Sequence, residues 1–196
     1  MATLSDGWDA RYAATADYVF GTAPSQFVVT HADRLKPRSR ILTPADGEGR
    51  NAVYLARLGH QVTATDISPA AQDKAKRLAA REGVEVDFQI QDLEGWTWPD
   101  AAYDAVAAVF IQFAPPDFRA AIFEGMKRSV KPGGLIAAYA WDMFGGGFPL
   151  EALRAEVRAL GGEPPSPPSS EASRIEVMQK LWTDAGIKDE IGRAHV

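Results

Sequence analysis

Ala45-Asp46-Gly47-Glu48-Gly49 packs two glycines and two acids into one short connection. Glycines at such a turn let the backbone come close to a ligand. About twenty residues on stands Asp66, and a carboxylate at that distance can accept both hydroxyls of a ribose. A third acid, Asp92, is followed by Leu93. An acid there can accept a proton from an adenine amino group, and its apolar neighbour can flank the ring. Taken together these residues are the parts of a nucleotide-cofactor site.

The elements that must position them are legible as alternating strands and helices. "RILTP" (Arg40 to Pro44) reads as a first strand, and Asn51 to Leu58 as a short helix stopped by Gly59. "QVTATD" alternates and makes a second strand that ends on Asp66. Ser68 and Pro69 are a cap and a first-turn proline for a helix to Glu82, ended by Gly83. The inner face of that helix is Ala71, Ala75, Leu78 and Ala79; Lys74, Lys76, Arg77 and Arg81 are expected on a solvated outer face. "VEVDFQI" (Val84 to Ile90) is a third strand. "YDAVAAVFIQF" is apolar almost throughout, as a central strand buried on both faces must be. A helix follows from about Pro116 to Val130. "KPGG" then turns the chain into "LIAAYAW", a fifth strand. The pattern predicts an α/β fold with a doubly wound, mostly parallel sheet, whose ligands bind beyond the carboxyl ends of the strands. Three regions are expected: 1–39, an N-terminal helical lid; 40–142, the cofactor-binding α/β core; and 143–196, C-terminal helices with a Pro/Ser loop.

Composition narrows the function. With no cysteine, disulfides and thiolate-held metals are excluded. The three histidines, His31, His60 and His195, are scattered, so no metal site is expected; His31 and His60 read as structural or solvated. A net charge of -5 argues against nucleic acid as a partner. No apolar run approaches the ~20 residues of a membrane span, and the N-terminus lacks the order of a signal peptide. The expected setting is cytoplasmic, with a small molecule as substrate.

Two cofactor classes suit the turn. Gly47-x-Gly49-x-x-Ala52 satisfies a dinucleotide-binding pattern, which would make the chain an NAD(P)-dependent oxidoreductase. The other class is S-adenosyl-L-methionine. Here the stretches "WDARY", "YVFGTAPSQF", "DGEGRNAVYLARLGHQVTATDIS", "QDLEGWTWPDAAYDAV" and "KPGG", in this order and spacing, carry a resemblance. From about Trp8 to Ala140 the chain resembles the class I S-adenosylmethionine-dependent methyltransferases, in particular the tellurite-resistance and thiopurine type. The oxidoreductase reading leaves Asp92, "KPGG" and the N-terminal aromatics without a role. The resemblance implies a Rossmann-like methyltransferase fold and cofactor-binding roles for Ala45, Asp46, Gly47, Gly49, Asp66, Ile67, Asp92 and Leu93. It also implies that Phe110 and Gln112 face the sulfonium and the acceptor. Trp8, Arg11 and Tyr12 would belong to a lid, with Arg11 paired to the cofactor carboxylate.

Two positions depart from the family's first motif. Thr43 stands where the family has an Asp, and Ala45 where it has the first Gly. A non-catalytic cofactor-binding module is the reading these departures favour. Methyl transfer from a sulfonium is an in-line displacement with a good leaving group, so the protein must chiefly orient the acceptor in a dry pocket. No residue stands out as a general base, which suits a thiolate or chalcogen oxyanion acceptor. Phe110, Phe113 and Tyr12 could form an aromatic wall for the sulfonium charge.

The family's sheet has seven strands, and five are found. "TDAGIKDEIGRAHV" starts toward a sixth and stops, so the final antiparallel hairpin is expected to be missing. Residues 141–182 look more like a different branch of the superfamily. The last six residues back-translate to the start of a common sequencing adapter. The expectation is therefore a truncated, chimeric reading frame.

Overall fold

A computed structural model describes residues 4–140, 151–164, 171, 174–184 and 186. The elements are α1 (Leu4–Ala13), α2 (Gln26–His31), β1 (Arg40–Thr43), α3 (Arg50–Arg57), β2 (Gln61–Asp66), α4 (Pro69–Glu82), β3 (Asp87–Ile90), β4 (Tyr103–Val109), α5 (Pro116–Ser129), β5 (Val130–Tyr139), α6 (Glu151–Ala159) and α7 (Ile175–Asp184). The chain divides into two compact units: Met1–Val109 with Arg128–Ala138, and Phe110–Lys127 with Tyr139–Val196.

The first unit holds a five-stranded parallel sheet in the order β3-β2-β1-β4-β5. β1 is central. It registers with β2 (Ile41 opposite Val62) and with β4 (Ile41 opposite Ala105). β2 in turn pairs with β3, Asp66 opposite Ile90. The order reverses between β1 and β4, and this is the switch point where such sheets take ligands. Ile41, Leu42, Ala64 and Val106 are buried completely, which is why β1 and β4 read as apolar runs. Ile41, Leu55, Val62 and Ala105 form one core cluster, joined by Val28 from α2. Val53, Leu78 and Ala79 form a second, where α3 meets α4.

α4 has the ends its sequence predicts. The Ser68 side chain accepts from the Ala71 amide, Pro69 opens the helix, and Gly83 closes it at φ 67°. Lys76, Arg77 and Arg81 are exposed as expected, but Lys74 is buried. It lies one turn from both Ala71 and Leu78, on the inner stripe, and an acid from the glycine turn receives its charge.

Two strands differ from expectation. β3 begins at Asp87, not Val84. The Val84 amide is drawn back to the Ala79 carbonyl at 3.1 Å, and Val84 and Val86 pack on the second core cluster before the strand starts. In β5, "KPGG" lies inside the strand and not before it. Lys131 pairs with Asp104 of β4 at 2.7 Å. A side chain on Gly134 would meet the Asp104 carbonyl at 2.7 Å, so glycine there lets β5 run close along β4. Ala140 follows the strand, and Trp141 lies outside the described residues.

Within the second unit, Phe110 donates its amide to Tyr139 at 2.7 Å, and Phe123 meets Trp182 edge-on at 5.9 Å. Thr183 and Asp184 end α7. The expected sixth strand otherwise falls outside the described residues, apart from Gly186, as do residues 141–150. Among the described residues no helix is long and apolar enough to cross a membrane, and no group of three or more His, Asp or Glu could hold a metal ion.

Candidate cofactor site

The turn after β1 is built from its own backbone. Asp46 donates its amide to Thr65 of β2 at 3.0 Å, which ties the turn to the end of the neighbouring strand. Ala45, Gly47 and Gly49 all have left-handed backbones, with φ of 50°, 62° and 83°. Ala45 therefore keeps a conformation that glycine adopts far more readily. A side chain on Gly47 would come within 2.8 Å of the Tyr12 hydroxyl. One on Gly49 would come within 2.7 Å of the Ala75 Cβ. Glycine at 47 thus serves the approach of α1 to the turn, and glycine at 49 the packing of α4.

Asp66 is the hub. Its Oδ2 accepts from the Gly47 amide at 2.8 Å and its Oδ1 from the Ser68 amide at 2.9 Å. It is 7 % exposed. Burial raises its pKa, and the amides of Ser68, Gly47 and Ile67 oppose that rise. The two carboxylate oxygens offer about four lone-pair positions in all, more than these amides take up. The remaining capacity can accept a ribose hydroxyl. Gln91 donates its amide to the Asp66 carbonyl at 2.9 Å, which brings the end of β3 beside it. There Leu93 is buried and Asp92 is exposed, its Oδ1 accepting from Glu94 at 2.9 Å. The donor and acceptor set therefore fits an adenosyl group.

The other two turn acids face away from that role. Asp46 accepts from the Ala52 amide at 3.3 Å, near the start of α3. The residue is partly exposed, but its carboxyl group is enclosed, and burial pushes its pKa up to about 8; the Ala52 amide works against that rise. Glu48 is buried against Lys74 in an ion pair at 2.9 Å. Its oxygens also accept from the amides of Val19 and Phe20, at 3.1 and 3.3 Å, and Lys74 donates to the Asp17 carbonyl at 2.7 Å. Thr43, at the motif's acid position, is 1 % exposed; its hydroxyl lies 3.5 Å from the Thr63 carbonyl.

α1 lies over the turn. Trp8 stacks on Tyr12 at 5.8 Å, and Tyr12 meets Phe20 edge-on at 6.4 Å. Exposed Arg11 sits above Trp8 and Phe20, at 5.3 and 5.2 Å from the ring centres. Buried Tyr12 has its pKa raised, first by burial and then by the charges of Asp66 and Glu48. Asp9 accepts from the Ser68 hydroxyl at 2.6 Å and from the Ala70 amide at 3.0 Å.

Ala45, Asp46, Gly47, Gly49, Asp66 and Ile67 thus come together with Arg11 and Tyr12, and Asp92 and Leu93 stand on the adjoining loop. Phe110 belongs to the second unit. It has a left-handed backbone at φ 63°, and its ring lies 5.3 Å from Tyr139. Gln112 sits in the turn Ile111–Phe113, and its side chain is outside those described. Sequence reasoning missed Asp9, Glu48 and Lys74. Only Lys74 carried a signal, its place on the inner stripe of α4.

Residues 41–134 match the family model of a methyltransferase domain. A ubiquinone biosynthesis O-methyltransferase of Xanthomonas axonopodis pv. citri is 32% identical over 125 residues, 63% of this chain and 52% of that protein. The chain spans about half the length of the curated relatives it matches. A solved structure from work on the conversion of a disulfide bond into a thioacetal group during echinomycin biosynthesis superposes with a TM-score of 0.75 at 22% identity, covering 93% of this chain and 78% of the other. A SAM-dependent methyltransferase from Aquifex aeolicus superposes with a TM-score of 0.63 at 18% identity, covering 91% and 87%.

Proposed function

We propose that the chain is a class I S-adenosylmethionine-dependent methyltransferase acting on a small-molecule acceptor, a reading supported by the match of residues 41–134 to a methyltransferase domain. S-adenosylmethionine, when bound, supplies a methyl group already activated on a sulfonium. The observation that carries this reading is Asp66: an enclosed carboxylate at the carboxyl end of β2, held by backbone amides and with acceptor capacity left over. In this reading Asp66 takes the ribose hydroxyls, and Asp92 and Leu93 take the adenine. The turn Ala45 to Gly49 lies along the amino acid end. Tyr12 and Trp8 exclude water above it.

In this reading neither turn carboxylate acts as a general base. Asp46 is committed to the Ala52 amide, and Glu48 to Lys74. We assign the acceptor on that basis to species already anionic or soft, a thiolate or a chalcogen oxyanion. Calorimetric titration with S-adenosylhomocysteine tests the cofactor, with NAD as control. Binding of the first and not the second, lost in Asp66→Ala with the fold intact by circular dichroism, is expected. A folded chain that binds neither overturns the proposal. Methyl transfer to thiols and selenite in preference to a catechol tests the acceptor class; the reverse preference removes it.

A further inference from the structure

Ser68 joins two carboxylates that come from distant parts of the chain. Its amide donates to Asp66 at 2.9 Å, and its hydroxyl donates to Asp9 at 2.6 Å. Asp9 also takes the Ala70 amide, so the first turn of α4 holds α1 by two hydrogen bonds to one carboxylate oxygen. On the other side of Asp66, Gly47 donates to Oδ2 and lies directly under the Tyr12 hydroxyl. Tyr12 and Asp9 are three residues apart on α1 and share a face of it. The same helix therefore covers the Gly47 turn with one residue and grips α4 with the other, and Asp66 touches both contacts.

We propose that Asp9 is a positioning residue, a latch that holds α1 over the Gly47 turn and sets how fast the adenosyl cofactor enters and leaves. This rests on the reading that the turn and Asp66 hold that cofactor. The aromatic cluster around Tyr12 closes the cover, but its contacts are non-directional. The two hydrogen bonds to a charged oxygen fix where α1 seats on α4, and bonds of that kind are among the stronger ones. Replacing Asp9 by Ala removes both. It leaves α4 its own cap, because the Ser68 hydroxyl still accepts from Ala71 at 3.0 Å. Asp9→Asn keeps an oxygen for both donors.

The test has two arms, each on the full chain. Hydrogen exchange without ligand reads the latch alone: Asp9→Ala is expected to speed exchange of residues 8–13 about tenfold or more, and Asp9→Asn to restore most of the protection. Surface plasmon resonance with S-adenosylhomocysteine reads its consequence. Asp9→Ala is expected to raise the association and dissociation rates together, each about tenfold, with a much smaller change in Kd. Loss of a merely structural contact would raise the dissociation rate alone. Unchanged exchange in Asp9→Ala, or a faster dissociation with no faster association, overturns the latch. If the wild-type chain does not bind S-adenosylhomocysteine, the cofactor reading fails, and the claim that Asp9 governs cofactor exchange falls with it. Exchange in the first arm still decides whether Asp9 holds α1.

Discussion

Gly49 has Ala75 where its own side chain would stand: a Cβ there would lie 2.7 Å from the Cβ of Ala75 and 3.0 Å from its Cα. The second glycine of the turn is thus a packing residue between α3 and α4, in a backbone conformation at φ 83°. Gly49→Ala combines left-handed strain with overpacking and is expected to cost about 3 kcal/mol. In the double variant Gly49→Ala/Ala75→Gly the tightest contact is removed, so the two changes should be less than additive in urea denaturation. Strict additivity would mean that the contact contributes nothing.

Ala45 is the converse case. It occupies φ 50° with a β-carbon that disfavours that conformation. Ala45→Gly should raise stability by about 0.5–1 kcal/mol, the strain relieved exceeding the entropy gained by the unfolded chain. A lower urea midpoint for the variant would show that the Ala45 methyl packs usefully.

Asp46 imposes a pH dependence whose sign follows from its environment. Its folded pKa is raised to about 8, foremost by burial. The unfolded carboxyl ionises near 4. Its contribution to stability is therefore fully present below pH ~4 and is lost as pH rises through about 8. Asp46→Asn keeps an oxygen for the Ala52 amide and should match the wild type near pH 4. At pH 9 it should exceed the wild type by several kcal/mol, about 1.4 kcal/mol for each unit between the two pKa values. Equal differences in melting temperature at both pH values would sink this account.

Lys74 and Glu48 are 4 % and 2 % exposed at their side chains, so neither charge can turn to water. Lys74→Met leaves a buried carboxylate without its cation and is expected to cost about 3–5 kcal/mol. Adding Glu48→Gln removes the orphaned charge and should recover much of the loss. A single variant as stable as the wild type in denaturant would show that the pair is dispensable.

How far the residues foretold this depends on the range of each interaction. β2 runs from Gln61 to Asp66, as its alternation predicts, and α4 is bounded by Ser68 and Gly83, because cap and stop are local chemistry. "KPGG" misled for the same reason. Pro and Gly mark a turn locally, but at this place Asp104 and the close approach of β4 keep the segment in the strand. Lys74 was placed outside because a charge normally belongs there, and its partner is 26 residues away in another element. Asp9 and Ser68 are 59 residues apart, and nothing in the sequence near either one marks the other. The acids and glycines of the turn were visible as a set. Which glycine packs a helix, and which acid caps one, depends on neighbours that only the fold supplies.

Glu48 accepts from the amides of Val19 and Phe20, and its partner Lys74 donates to the carbonyl of Asp17. The peptide groups of the segment that follows α1 thus have acceptors and donors made only when the glycine turn and α4 already exist. That dictates a sequence of events in refolding. The β1-to-α4 region must assemble first, and the N-terminal segment can dock only afterwards, although it leaves the ribosome before everything it docks on. In a stopped-flow experiment with Trp8 as the one fluorophore retained, the signal should lag the far-ultraviolet ellipticity. Coincident phases would mean that the arm joins the nucleus itself.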